Sequence, residues 1–237
     1  MKPNWKNGLI IALCAGVLAA PLYLAGPVQA ATVSVANSSF EQGTAGRPRG
    51  FTNNLTFGQL GTSSPGWDVY NGLAGWTVSG GGGNKVEVQS NNSSLIDAVD
   101  GNYYLSLDAG GGRNSTITQQ VTIAAGTYIL SFWYSPESAL VATNTIGYNL
   151  GNLVSGSVTT GTNGAQVGIW TEVRQKFTVL TGATFGLSFA ALGAADGVGG
   201  YIDNIGISVA AVPVPASGVV LLSAVGALFG LRRRRKA

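Results

Sequence analysis

Seven carboxylates in the middle of the chain are the side chains best able to do acid–base chemistry. They are Glu87, Asp97, Asp100, Asp108, Glu137, Glu172 and Asp196. Two carboxylates on either side of a glycosidic bond can hydrolyse it, one acting as an acid and the other as a base or nucleophile. Since no two of the seven stand in a recognisable local motif, the sequence favours solvated acids. A glycan hydrolase stays open as an alternative.

Other catalytic side chains are scarce. The chain has no histidine and a single cysteine, Cys14, close to its N-terminus. Without these residues the body of the protein has no thiolate or imidazole catalysis, no disulfides and no ordinary zinc site. The sequence therefore predicts a protein that is not an enzyme.

Aromatic side chains could bind sugar instead, because an exposed ring stacks on the C–H face of a pyranose. Trp67 and Tyr70 in a long loop and Trp133 on a strand are the candidates for this contact. Burial under loops is the competing role for all three. Four other rings are assigned to the core: Phe40, Trp76, Phe132 and Trp170.

The elements that would position these residues are strands. Apolar and β-branched runs, separated by Gly, Asn and Asp turns, predict an all-β sandwich. The candidate strands are residues 32–35, 75–78, 85–89, 103–107, 115–123, 127–135, 143–150, 153–159, 171–180, 184–191 and 201–209. Residues 43–75 alternate little and are predicted to form a long loop with at most one short strand.

The N-terminal segment is typical of a secretory signal. Lys2 and Lys6 precede an apolar run that is broken by Pro21 and leads to the small residues Val28 and Ala30. This pattern predicts export through the Sec machinery and cleavage after Ala30, with loss of Cys14.

Both ends also distort the net charge. Of the 13 Lys and Arg residues, seven lie in the first 30 or the last 26 residues, which leaves six cations and ten acids between them. The body therefore carries a net charge of −4, although the sequence pI is about 9.1. A nucleic-acid partner is therefore not favoured, because the body has no excess of positive charge to bind phosphates.

Six short motifs of the body follow one another in the order seen in galactose-binding-like jelly-roll domains, and the body resembles carbohydrate-binding modules of that kind. The motifs are residues 37–43 (NSSFEQG), 75–78 (GWTV), 100–108 (DGNYYLSLD), 125–132 (AGTYILSF), 170–173 (WTEV) and 201–208 (YIDNIGIS). The resemblance implies a jelly-roll β-sandwich. It also implies that Glu41 and Asp203 help to hold a structural calcium ion. The alternative is that both carboxylates accept hydrogen bonds from loop amides, with no cofactor at all.

The C-terminus resembles the tripartite sorting signal of the PEP-CTERM system, in its VPLPA variant. The motif Val212, Pro213, Val214, Pro215 and Ala216 precedes an apolar run, which ends in Arg232, Arg233, Arg234, Arg235 and Lys236. The apolar run is too short to span a bilayer comfortably as a helix. The resemblance implies an inner-membrane intermediate with a cytoplasmic basic cluster. It also implies cleavage by an exosortase-type enzyme and delivery to the surface or matrix of a Gram-negative cell.

The sequence thus divides into a signal peptide (1–30), a β-sandwich (31–211) and a C-terminal sorting signal with a single hydrophobic helix (212–237). The leading interpretation is an exported surface or matrix protein that contacts extracellular polysaccharide. A glycan hydrolase and a structural protein that self-associates through strand edges are the alternatives.

Overall fold

The computed structural model describes residues 33–43, 55–93, 96–109 and 111–211. The predicted signal peptide, the motif from Val212 to Ala216 and the basic cluster from Arg232 to Lys236 lie outside these ranges. No helix in the described ranges reaches the length and apolarity that a membrane crossing requires.

The described residues form strands almost throughout. In chain order the elements are α1 (Phe57–Leu60), β1 (Trp67–Tyr70), β2 (Thr77–Gly80), β3 (Val86–Ser90), β4 (Tyr103–Ser106), β5 (Asp108–Ala109), β6 (Arg113–Ile123), β7 (Gly126–Pro136), β8 (Ile146–Leu150), β9 (Val154–Val158), a 3-10 turn (Thr162–Gly164), β10 (Thr171–Val179), β11 (Ala183–Ala191) and β12 (Gly200–Val209).

The strands build two antiparallel sheets. Sheet I has the order β1-β3-β4-β12-β7-β10, and sheet II has the order β2-β6-β11-β8-β9, with β5 added beside β6. Neighbours in each sheet are mostly distant in sequence, so long-range pairing closes the sandwich. The predicted all-β jelly-roll fold is confirmed.

The core lies between the sheets and is rich in aromatic rings. Phe132 of β7 packs edge-on against Phe189 of β11, with 5.0 Å between ring centroids, and also contacts Tyr148 of β8. Along β7, Leu130, Phe132 and Tyr134 are buried while the residues between them are half-buried. One face of β7 therefore belongs to the core, and the other carries half-buried side chains such as Trp133.

Candidate ligand-binding face

The side of sheet I that points away from sheet II carries polar and aromatic side chains. Residues directly opposite each other in antiparallel strands share a face. By this register, Gln89 opposes both Trp67 and Tyr104, and Tyr201 opposes a serine on each side. We call this surface the outer face. It comprises Trp67, Glu87, Gln89, Tyr104, Ser106, Trp133, Ser135, Tyr201 and Asp203.

The floor of the outer face is one hydrogen-bonded network. The Tyr104 hydroxyl donates to Gln89 Oε1 at 3.1 Å, and Gln89 Nε2 donates to Glu87 Oε1 at 2.8 Å and to Tyr201 Oη at 3.3 Å. All four side chains are at most 5% exposed. A buried polar network with its bonds made fixes one arrangement of its rings.

Trp170 lies over this floor. Its ring meets Tyr104 edge-on with 5.6 Å between centroids, and its Nε1 donates to the Asp97 carbonyl at 2.6 Å. The prediction that Trp170 belongs to the core is wrong. Trp170 directly precedes β10 and is half-buried on the outer face.

One end of the face is acidic. Glu137 Oε2 accepts the Gly199 N–H at 2.9 Å. Burial raises the pKa of Glu137, and the charges of Asp108 and Asp196 raise it further, while its hydrogen bond with Tyr201 opposes the shift. Burial also raises the pKa of Tyr201, and the charge of Glu137 raises it further.

Several buried polar atoms lack a partner, and two of them are on the outer face. Within the described ranges, the buried side-chain atoms with no hydrogen bond are Ser106 Oγ, Asp108 Oδ1, Asn114 Oδ1 and Ser135 Oγ. Ser106 and Ser135 are the two serines that flank Tyr201. Buried atoms of this kind usually bond to a water or a ligand, so the face has hydrogen-bonding capacity to spare.

Two of the three sequence-predicted sugar contacts lie on the outer face. Trp67 and Trp133 are both half-buried there. Tyr70 does not join them, because it is only 1% exposed, donates to the Leu55 carbonyl at 3.2 Å and packs against Phe57. Its place in the core removes Tyr70 from the candidate surface.

Glu41 and Asp203, the predicted calcium ligands, hold the loop before β4 from two sides. Glu41 Oε1 accepts the N–H groups of Asn102 and Tyr103 at 2.8 and 2.9 Å. Asp203 Oδ2 accepts those of Val99 and Asp100 at 2.7 and 3.2 Å.

These hydrogen bonds are the ones foreseen in the alternative to calcium. Calcium takes six to eight oxygen ligands, and no cluster of three or more acidic, His or Cys side chains occurs in the parts of the chain that the structure describes. The loop is fixed by the two carboxylates themselves, and calcium stays an untested prediction.

The remaining candidate carboxylates differ in burial and in their hydrogen-bond partners. Asp108 is fully buried, and its Oδ2 accepts the N–H groups of Asp196 and Gly197 at 2.9 and 2.8 Å. Glu172 is in an ion pair with Arg174 at 2.7 Å. Glu137 is the half-buried member of the acidic end.

No protein-family model matches the sequence, and a search of curated proteins finds no relative. Among solved structures, a cyclase from Fischerella sp. TAU is similar with a TM-score of 0.50 and 13% identity, over 78% of this chain and all of that one. TmCBM61 in complex with β-1,4-galactotriose is similar with a TM-score of 0.42 and 24% identity, over 68% of this chain and 98% of that one. The protein titled Family 16 Carbohydrate Binding Module-2 has a TM-score of 0.35 and 19% identity, over 56% and 90%. At these identities the likeness shows the fold alone.

Proposed function

We propose that the protein is an exported, non-enzymatic polysaccharide-binding protein and that the outer face of sheet I holds the glycan. The observation that carries this proposal is the set of three half-buried tryptophans, Trp67, Trp133 and Trp170, around a hydrogen-bonded polar floor. Indole faces supply the stacking surface that pyranose rings need, and the neighbouring polar groups fix orientation.

The spacing of the tryptophans favours a chain over a single sugar. Trp67 is on β1 and Trp133 on β7, four strands further across sheet I. At the usual strand spacing they are about 19 Å apart. A ligand that touches both must be an oligosaccharide or a polysaccharide.

The buried floor supports affinity indirectly. Tyr104 is held by its hydrogen bonds and in turn supports the Trp170 ring. A ring that is already fixed loses little conformational entropy on binding, so the Trp170 ring is preorganised for a ligand.

Alanine substitution of Trp67 and Trp133 tests the proposal. Trp133→Ala and Trp67→Ala should each lose about 2 kcal/mol of binding free energy, which raises Kd roughly 30-fold. The measurement is the retardation of each variant in a polysaccharide-containing gel. Because TmCBM61 was solved with a galactotriose, a β-1,4-galactan is the first polysaccharide to use. Leu180→Ala, at a side chain 89% exposed in the β10–β11 turn, is the control that should bind normally. Full retention by folded Trp133→Ala and Trp67→Ala variants would refute the proposed face.

A glycan hydrolase is the second candidate, favoured by the raised pKa values of Glu137 and Asp108 at the acidic end. An acid with a raised pKa can donate a proton to a leaving group. We expect no release of reducing sugar from any polysaccharide that the protein binds. Release that disappears in Glu137→Gln would establish the hydrolase.

We also propose that the C-terminal motif at Val212–Ala216 is cut by an exosortase-type enzyme after Sec-dependent export. The support is the sequence pattern of proline motif, apolar run and five cations. Mass spectrometry of the surface-located protein should show a C-terminus upstream of Arg232. An intact basic cluster on that protein would exclude processing.

A further inference from the structure

One long segment of the negatively charged body (residues 31–211) carries no charge. Residues 138–171, from the end of β7 to the start of β10, contain no Asp, Glu, Lys or Arg. The segment also holds four of the exposed large apolar side chains of the described ranges, at Leu140, Val141, Val167 and Ile169. Exposed apolar residues without neighbouring charges are typical of interaction surfaces.

Strand β9 lies in the middle of this segment at the edge of sheet II. Among the described residues it pairs with β8 alone. Ser155, Gly156 and Ser157 are exposed. An exposed edge without charge, proline or bulge is a template for pairing with another strand.

The other edges are better protected. At β1, the buried Asp68 accepts the Leu55 N–H at 2.7 Å, so a neighbouring segment is bound beside the edge. At β10, Arg174 and Lys176 are charged and exposed. Compared with β1 and β10, the edge strand β9 therefore offers a partner strand less resistance.

Side-chain hydrogen bonds join β9 to the exposed apolar residues. Thr159, directly after β9, donates to the Val141 carbonyl at 3.0 Å and accepts from Thr145 at 3.2 Å. Leu192 follows β11, and its N–H donates to the Thr145 carbonyl at 2.8 Å. We call β9 with Leu140, Val141 and Leu192 the uncharged surface. These three apolar side chains are each between 55% and 65% exposed.

The distribution of charge favours a second copy of the chain as the partner that covers the uncharged surface. Residues 31–211 have six cations and ten acids, so two copies repel each other over most of their surfaces. The uncharged surface is the place where this repulsion is weakest. Contact between two such surfaces needs no desolvation of charge.

The sequence of β9 is self-complementary. Val154, Ser155, Gly156, Ser157 and Val158 have the same order in both chain directions. Antiparallel pairing of two copies about a two-fold axis at Gly156 places valine against valine and serine against serine. A two-fold interface requires one surface to complement itself in this way.

Gly156 also suits the centre of such a pair. The hydroxyl of Tyr148, the paired residue on β8, covers its core side so closely that a Cβ at Gly156 would lie 2.3 Å from the Tyr148 oxygen. The middle of β9 therefore carries no side chain that a partner strand must avoid.

We propose that two copies of the chain associate through the antiparallel pairing of β9 with the partner's β9, so that sheet II continues across the dimer. In this register Ser155 lies opposite Ser157 of the partner subunit, and Val154 lies opposite the partner's Val158. The inference is independent of glycan binding, because the outer face belongs to sheet I.

Cysteine cross-linking tests the register. In full-length protein carrying Cys14→Ser, a mixture of Ser155→Cys and Ser157→Cys chains should form a disulfide-linked dimer on mild oxidation. Either variant alone should form several-fold less, because its two cysteines are not opposite each other. No cross-link in the mixture, or equal cross-linking of each variant alone, would overturn the proposed pairing.

Sedimentation of the full-length protein in mild detergent tests the dimer itself. Ser155→Lys combined with Ser157→Lys places lysines opposite each other and should weaken the dimer at least about tenfold. Thr77→Lys combined with Ser79→Lys, at exposed positions of the edge strand β2, is the matched control and should dimerise normally. Wild-type protein that stays monomeric at all concentrations, or equal weakening by both pairs of lysines, would overturn the proposal.

Discussion

Asp203 is fully buried, yet its carboxylate accepts three backbone N–H groups, from Val99, Asp100 and Asn204. Burial penalises the charged form, and the charge of Asp100 acts in the same direction. Together they raise the pKa of Asp203 to about 7, although the three hydrogen bonds oppose the shift. The titration of Asp203 should therefore contribute to the dependence of stability on pH.

Stability should fall as pH rises through this pKa. An unfolded aspartate has a pKa of about 3.9, so the folded state binds the proton more tightly. This contribution is complete below the unfolded pKa and is lost as pH rises to about 7, with a slope of at most about 1.4 kcal/mol per pH unit. Urea unfolding at intervals from pH 4.5 to 8 measures it.

Asp203→Asn is the control for this slope. It should flatten the slope in part, because the raised pKa values of Glu137 and Asp108 contribute with the same sign. Identical slopes in the two proteins would show that Asp203 does not titrate in this range.

Among the elements, the loop before β4 depends most on particular residues. Glu41 and Asp203 hold it from two sides, and Trp170 bonds to it at Asp97. Gly101 in this loop has a φ of +77°, and a Cβ there would lie 2.2 Å from the Glu41 carboxyl carbon. The loop can approach Glu41 this closely only with glycine at position 101.

Gly101→Ala should therefore destabilise the protein by about 1–3 kcal/mol, through the positive φ and the contact with Glu41. Gly58→Ala is the matched control, because nothing lies within 4 Å of a Cβ at that position in α1. It should change stability little. Denaturant midpoints of the two variants compare these costs, and equal effects would contradict the role of Gly101.

Chelation separates the two accounts of Glu41 and Asp203. If the loop amides alone satisfy these carboxylates, EDTA leaves the thermal midpoint unchanged. A midpoint that falls with EDTA, recovers with calcium and does neither in Glu41→Gln would establish a structural calcium ion.

Most strands were predictable because alternation and turn residues mark them locally. The prediction for 143–150 began too early, since Asn144 donates to the carbonyls of Ser138 and Leu140 and ties the chain into a turn before β8. Of the predicted strand 32–35, the described part makes only a bridge from Val33 to Ile207. The one-turn helix α1 is too short to show a helical period.

The outer face was harder to predict. In β4 and just after it, Leu105 and Leu107 alternate with Tyr104, Ser106 and Asp108, so the sequence did contain the signal for a polar face. What it could not show is that five strands, β1, β3, β4, β7 and β12, bring such residues together in one sheet. Gln89 and Tyr201 are 112 positions apart in the chain and hydrogen-bond to each other because β4 pairs with both of their strands.

For the whole molecule, charge is divided between the body and the ends. The body has a net charge of −4, and the excess of cations lies in the segments that the proposed processing removes. Isoelectric focusing should therefore give an acidic pI for the surface-located form and a pI near 9.1 for the full chain. A basic surface form would mean that the C-terminal cations are retained.

The scarcity of basic residues in the middle of the chain has a consequence for proteolysis. Residues 114–173 contain no lysine or arginine, so a trypsin-like protease finds no cleavage site from the start of β6 to the start of β10. The segment with the most exposed apolar side chains therefore cannot be cleaved by enzymes that cut after basic residues. Residues 114–173, about a third of the body, should therefore stay uncut when such a protease digests the rest of the chain.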